Sequence, residues 1–262
     1  MTKTILITGS TDGIGLLTAQ YLAKEGHRIL LHGRSAARLE TALTKVNGDV
    51  ETYAADLSRM ADVRTFADEV RKKHSRLDVL INNAGVLKIA DTRTEEGHDV
   101  RFMVNTFAPY ALTRALLPVI PKDGRIVNLS SAAQAPVDLA AMRGERQPGH
   151  NDAYAQSKLA ITIWTRALAK ELADGPVVVA VNPGSLLASK MVREGYGIEG
   201  SDLSVGADIL REAAIGASFA DATGKYFDND SGRFAEPHAA ARDAAHSAQV
   251  MQGIEDALKS LN

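Results

Sequence analysis

A chain of 262 residues, 45% of them hydrophobic and 24% charged, has the make-up of a globule large enough to bury its core without staples. It contains no cysteine, which excludes disulfides and thiolate metal sites and fits a reducing compartment. Its formal net charge of −2, with acids and bases intermixed, offers no basic tract to a nucleic acid or an anionic membrane.

No apolar run approaches the ~20 residues that a membrane helix needs. Lys3-Thr4-Ile5-Leu6-Ile7 already reads as a strand, so no cleavable export signal is expected and the cytoplasm is the expected location. Thr4 to Thr8 meets Gly9-Ser10-Thr11-Asp12-Gly13-Ile14-Gly15, after which Leu16, Leu17, Ala19, Leu22 and Ala23 take helical spacing. Strand, glycine turn and helix N-terminus together suit a pyrophosphate: glycine admits close approach, and the first helical turn offers free N–H groups. The spacing is G-x-x-x-G-x-G rather than G-x-G-x-x-G, but the mechanics are the same. A plain strand-to-helix turn is the rival reading.

Arg28 to Gly33 is a second strand, and its end is where a dinucleotide fold reads the adenosine ribose. No acid stands there. Arg34 and Ser35 suit a 2′-phosphate, which favours NADP(H) over NAD(H). Asp12 in the glycine loop opposes that choice unless Arg34 neutralises it. Val50 to Ala55 forms a third strand ending at Asp56-Leu57, and Leu77 to Ile81 a fourth that runs into Asn82-Asn83-Ala84-Gly85. Strands alternating with helices predict a single α/β domain over residues 1–262, a doubly wound parallel sheet with helices on both faces. Gly9, Arg34, Asp56, Asn82 and Gly85 then converge on the carboxyl edge of the sheet, where ligands bind.

A helix is predicted from Glu95 to Leu116, with Asn105 inside it. An inward Asn there opens the hydrogen-bond ladder and can hold a water. Gly124 to Leu129 is a fifth strand ending in Ser130-Ser131. The stretch 134–153 is too long for a tight connection and reads as a substrate loop. Next comes a helix carrying Tyr154 and Lys158, four apart and hence on one face. A cation beside a phenol lowers its pKa and makes it a general acid–base near neutral pH. A chance spacing is the bland alternative. Pro176 to Val181 is a sixth strand ending in Asn182-Pro183-Gly184. Residues 185–202 carry Leu186, Leu187, Met191, Val192, Tyr196 and Ile198, and Gly195, Gly197 and Gly200 suit hinges of a lid over a partly apolar substrate; a surface helix with an apolar underside is the rival reading. The seven histidines show no ligand spacing, so no metal site is expected. Lys225-Tyr226-Phe227 reads as a last edge strand.

Taken as a set, Thr8-Gly9-x-x-x-Gly13-x-Gly15, Asn82-Asn83-Ala84-Gly85, Asn105, Ser131, Tyr154-x-x-x-Lys158 and Pro183-Gly184 resembles the classical branch of the short-chain dehydrogenase/reductase superfamily. The gap before Tyr154 and the ending Gly224-Lys225-Tyr226-Phe227 look most like retinol dehydrogenase-like and protochlorophyllide reductase-like members. The resemblance implies a Rossmann-type fold and an NAD(P)-dependent oxidoreductase interconverting a carbonyl and an alcohol on a small or partly apolar substrate. It assigns Tyr154 as proton donor and acceptor, with Lys158 lowering its pKa and holding the nicotinamide ribose. Ser131 would bond the reacting oxygen, and Asn105 would anchor a water that leads protons to Lys158. Gly9 to Gly15 would bed the pyrophosphate, Asp56 and Leu57 the adenine, Asn82 and Ala84 the adenosine ribose, and Pro183 and Gly184 the nicotinamide. The residue that grips the carboxamide in relatives is here Ala188, with Ser189 next to it. The rival classes are an NAD-linked alcohol dehydrogenase and a nucleotide-sensing protein without turnover. A homodimer or homotetramer through the helices of Asn105 and Tyr154 is implied, or a monomer if the insert before Tyr154 blocks that face.

Overall fold

The computed structural model describes residues 1–188 and 190–261, and of Lys190, Glu194 and Tyr196 the backbone only. The strands are β1 (Thr4–Ile7), β2 (Arg28–Gly33), β3 (Val50–Ala54), β4 (Val79–Asn82), β5 (Arg125–Leu129), β6 (Val177–Asn182), β7 (Tyr226–Asp228) and β8 (Arg233–Ala235). They form one sheet in the order β3-β2-β1-β4-β5-β6-β7-β8. All neighbours are parallel except the β7–β8 hairpin, so the 225–227 segment is flanked by β8 and is not the edge.

Both faces of the sheet are covered, which is why the central strands are apolar without interruption. Side chains alternate as the pleat requires. Leu6, Leu30, Leu80, Ile126 and Val178 enter a core with α3 (Met60–Lys73), α5 (Ala108–Leu116) and α7 (His150–Glu171). Ile5, Ile29, Val79, Val127 and Val179 enter the opposite core with α1 (Gly13–Lys24), α2 (Ala36–Leu43) and α9 (Leu203–Ile215). Each fully buried aliphatic side chain there contributes roughly 1.5–3 kcal/mol relative to exposure. The order places a switch point between β1 and β4, where crossovers leave in opposite directions and a crevice opens at the strand ends.

The helix expected from Glu95 begins later. Gly97 takes φ +88 and Asp99 caps a short α4 (Val100–Phe102) by accepting from the Arg101 N–H. Between α4 and α5, Met103–Phe107 form a π-helical turn centred on Asn105. The ladder is therefore opened at the Asn, as its poor fit to a regular helix suggests.

The stretch 134–153 is more than a loop. It contains α6 (Leu139–Met142), whose Ala141 and Met142 are fully buried. Met142 packs against the C-terminal α11 (Ala244–Ser260), and the Val137 N–H donates to Nε2 of His246 at its start. Helix α11 and the short α10 (Ala239–Arg242) lie on α7, so the chain's own C-terminal segment covers part of the helix that carries Tyr154. The segment 185–202 holds α8 (Lys190–Tyr196) and closes on itself: Ser201 N–H donates to Leu186 C=O, and Ala188 N–H donates to Ser201 C=O.

Candidate active site

A cleft of about 970 Å³ runs along the carboxyl ends of β1 to β6. At one end lie Gly9, Thr11, Asp12, Gly13, Ile14 and Gly15. Gly9 has φ +63, and a Cβ on it would sit 2.8 Å from Cα of Ala84. Gly15 has no unusual backbone, but a Cβ there would lie 2.5 Å from Nδ2 of Asn83 and 2.6 Å from the Gly9 carbonyl. The glycine loop is thus pressed on the 83–84 turn with no room between them. No side chain caps the N-terminus of α1, so its first-turn N–H groups are left to a ligand.

Two motif residues to which the sequence assigns no role of their own, Thr8 and Asn83, hold this loop. Asn83 donates from Nδ2 to the carbonyls of Thr8 (2.8 Å) and Gly9 (3.0 Å), and Oγ1 of Thr8 accepts from the backbone of Asn83 and Ala84. Asn82, expected at the adenosine ribose, faces the other way. It is 2% exposed, pairs in register with Asn128 across β4 and β5, and donates to Asn128 Oδ1 and Thr113 Oγ1. Successive residues on a strand point to opposite faces, so of the Asn82-Asn83 doublet only Asn83 reaches the cleft. Ser10 is also buried, bridging the Ile7 carbonyl and the His32 N–H, and lies behind the loop rather than on it.

Arg34 and Ser35 line the cleft beside Asp56 and Leu57, as the strand ends predict. Ser35 caps α2, accepting from the Arg38 N–H. The carboxylate of Asp12 is paired, but with Arg38 at 3.7 Å rather than with Arg34, which makes no ion pair among the described residues. Asp56 accepts from the backbone and hydroxyl of Ser58, and Arg59 reaches Glu95 at 3.4 Å across the mouth of the cleft.

His32, at the end of β2, was not marked by any motif. It is 2% exposed and burial pushes its pKa down to about 4. An unfolded histidine titrates near 6.5, so between pH ~6.5 and ~4 the unfolded chain binds a proton that the fold refuses. Stability is therefore full above pH ~6.5 and falls on acidification, by about 3 kcal/mol at pH 4 from this group alone. Urea melts of the wild type and of His32→Gln, which cannot titrate, are expected to differ in slope against pH over that window.

At the other end of the cleft Tyr154 and Lys158 meet on one face of α7. Nζ of Lys158 lies 5.6 Å from the centroid of the Tyr154 ring, and both side chains line the cleft. Lys158 is 4% exposed and donates to the Leu129 carbonyl at 2.7 Å, and burial lowers its pKa to about 8. Among the described residues this uses one of its three N–H bonds. Asn105 clamps this corner: its Oδ1 accepts from the Val86 N–H (2.8 Å), while its Nδ2 donates to the Val86 carbonyl and to Oγ of Ser157 (each 3.0 Å). Gly85 lies over the pair, with a Cβ there 3.4 Å from both Asn105 Oδ1 and Lys158 Nζ.

The serine doublet divides. Ser130 is buried and its hydroxyl bonds the Lys158 carbonyl and Thr162 on α7. Ser131 is half-buried, and its Oγ accepts only a local bond from the Ala133 N–H. Its carbonyl is held by Gln134 and by the hydroxyl of Tyr226. Ser130 lines the large cleft, whereas Ala132 lines a second cavity of about 400 Å³ with Gln134, Tyr226, Asp228 and His238. Ser131, expected at the reacting oxygen, lines neither of the two. Pro183 lines the cleft; Gly184, with φ +122, does not, and its loop is tied down by Asn229 and Asp230. Met191 of α8 reaches over Gly85. Ser189, weighed for the carboxamide contact, lies outside the described residues. Among the described residues no metal-ligand cluster is present, and no helix is long and apolar enough to cross a membrane.

The family model described as short chain dehydrogenase matches residues 3–196. The chain belongs to the short-chain dehydrogenase/reductase family. Retinol dehydrogenase 13 of Homo sapiens is 33% identical, with 86% of this chain matched to 76% of its length. Retinol dehydrogenase 12 of Bos taurus is 33% identical over 74% of this chain, which spans just 64% of that relative. The expected likeness to retinol dehydrogenases therefore holds. Among solved structures, an uncharacterised protein from Mycobacterium paratuberculosis superposes with a TM-score of 0.76 at 28% identity, covering 97% of this chain and 92% of its own. RhlG of Pseudomonas aeruginosa, solved as an NADP active-site complex, gives a TM-score of 0.72 at 25% identity over 88% of this chain and 95% of its own.

Proposed function

We propose that this short-chain dehydrogenase/reductase interconverts a carbonyl and an alcohol by hydride exchange with NADP(H), using Tyr154 as the acid–base. The observation that carries the proposal is the convergence of Tyr154 and Lys158 in one cleft with an uncapped helix N-terminus at its far end. The glycine loop and α1 would hold the pyrophosphate, and Asp56 and Leu57 the adenine. Ala84 and Asn83 take the place proposed for Asn82 beside the ribose. Pro183 would line the nicotinamide, and the other N–H bonds of Lys158 would serve its ribose and the phenol.

The bound cofactor supplies the hydride. The chain's task is the proton and the developing charge on oxygen. The Tyr154 hydroxyl donates to the substrate oxygen, and Ser131 becomes its second donor by turning from its local bond to Ala133. Donors placed where negative charge grows stabilise the transition state. Below pH ~8 Lys158 is an ammonium in a water-poor corner, where its field on the phenol is strongest. Asn105 fixes this corner through Val86 and Ser157, and the π-helical turn opens its backbone to a water for proton supply. Val86, Leu87, Ile89, Val104 and Met191 make the wall around the reacting end apolar, which suits a partly apolar substrate.

The preference for NADP(H) over NAD(H) is supported by Arg34, which has no acid partner among the described residues while Arg38 takes Asp12. The structural relative RhlG, solved as an NADP complex, agrees with this choice. The test is fluorescence titration with NADPH and NADH. Wild type is expected to bind NADPH on the order of tenfold more tightly, and Arg34→Ala to abolish the difference, as for one charge-assisted phosphate contact. Equal affinities in the wild type would return the reading to an NAD-linked dehydrogenase. NADPH binding without oxidation across a panel of aldehydes, ketones and quinones would return it to a nucleotide sensor.

A further inference from the structure

The dinucleotide reading leaves the buried His32 without a task. His32 is enclosed between three pieces of the cleft wall. Its Nδ1 lies 3.1 Å from the Gly9 N–H and its Nε2 lies 3.1 Å from the Ala55 carbonyl. A carbonyl only accepts, so Nε2 carries the hydrogen and Nδ1 is a bare acceptor for Gly9. The ring stacks on Phe66 of α3 with centroids 4.7 Å apart. The backbone of His32 holds the next residue as well: its carbonyl accepts from the Ser10 N–H at 2.9 Å, and its N–H donates to Oγ of Ser10. One residue thereby fixes the first turn of the glycine loop, the end of β3 beside Asp56, and the start of its own Arg34 turn.

We propose that His32 is a positioning residue for the dinucleotide: its neutral imidazole latches Gly9 to Ala55 and so fixes where the glycine loop and α1 present their N–H groups. The proposal rests on the dinucleotide reading above. The alternative for Gly9 is a buried N–H with no partner, because Ala84 presses on Gly9 from its other side and leaves little room for a water. A cation in this place would aim a second N–H at that of Gly9, so the latch works only with the imidazole uncharged. Phe66 supplies the apolar face that keeps it so.

The experiment pairs two variants with a readout that packing alone does not move. His32→Phe keeps a ring on Phe66 and removes both hydrogen bonds. His32→Gln carries an amide oxygen for Gly9 and an amide N–H for Ala55. Each is followed by melting temperature without ligand and by NADPH titration at pH 7.5. His32→Phe is expected to weaken NADPH binding by on the order of tenfold, the effect of one lost hydrogen bond. His32→Gln is expected to restore affinity to within about threefold of wild type. If both variants melt lower yet bind NADPH as the wild type does, the residue is a core element only and the proposal is overturned. Should His32→Phe not fold, nitrogen NMR of the wild-type imidazole decides. A single Nε2–H tautomer that persists from pH 8 to 5 supports the latch, and free titration near 6.5 overturns it. A wild-type chain that binds neither NADPH nor NADH removes the dinucleotide reading, and this proposal with it.

Discussion

Replacing Tyr154 by Phe is expected to lower turnover by about 10²–10⁴-fold, the span of a positioned general acid–base. NADPH affinity should change by less than about threefold, because the ring stays in place and only the hydroxyl goes. Tyr154 and Lys158 stand one turn apart on α7, and α7 is packed so tightly that its side chains have few alternative rotamers: Leu159, Ala160 and Trp164 are fully buried. The ammonium is held from behind by the Leu129 carbonyl at 2.7 Å, so it cannot swing away from the phenol without leaving that acceptor. Steady-state rates with any carbonyl that the wild type reduces provide the check. A Phe variant with wild-type turnover would take Tyr154 out of the proton path.

Gly15→Ala should have the second large effect, on cofactor binding and on stability together. One methyl at this position meets the Gly9 carbonyl at 2.6 Å and the Asn83 amide at 2.5 Å, and neither is the loose end of a flexible side chain. The Asn83 amide is itself tied to the carbonyls of Thr8 and Gly9. Relief of the overlap has to push the glycine loop off the 83–84 turn. Overpacking of this kind costs about 1–3 kcal/mol, and NADPH affinity is expected to fall at least tenfold as the first-turn N–H groups move. Thermal melts with and without NADPH would show it as a lowered melting temperature and a lost ligand-induced shift. A variant that melts and binds like the wild type would mean that the loop is not held by contact with Asn83.

What could be read before the fold was known follows a pattern. The strands were legible because a doubly covered parallel sheet demands apolar runs, and Leu77 to Ile81 or Pro176 to Val181 admit little else. Tyr154 and Lys158 were legible because a single helical turn relates them. Asn105 announced itself by being ill suited to a regular helix, and the π-helical turn is the response. The contacts that fix the cleft were not legible, since they join residues distant in sequence: Asn83 to Thr8, His32 to Gly9 and Ala55, and Arg38 to Asp12. The motif did not mark Asn83 apart from Asn82, because only the strand register shows that Asn82 faces Asn128 inside the sheet. The stretch 134–153 looked like a free loop because it is too long for a tight connection, and Met142 finds its partner only when α11 returns across it. Length alone suggested openness where tertiary packing supplies a core.

The pairing of Tyr154 with Lys158 has meaning only if a hydride crosses this cleft while the phenol manages the proton. The direct measurement uses NADPH deuterated at the transferring position of the nicotinamide, incubated with the wild-type chain and a carbonyl substrate found by the panel. The prediction is deuterium on the former carbonyl carbon, a solvent proton on its oxygen, and loss of that product with Tyr154→Phe. Product whose carbon carries solvent hydrogen instead, or labelled product formed undiminished by Tyr154→Phe, would contradict the mechanism.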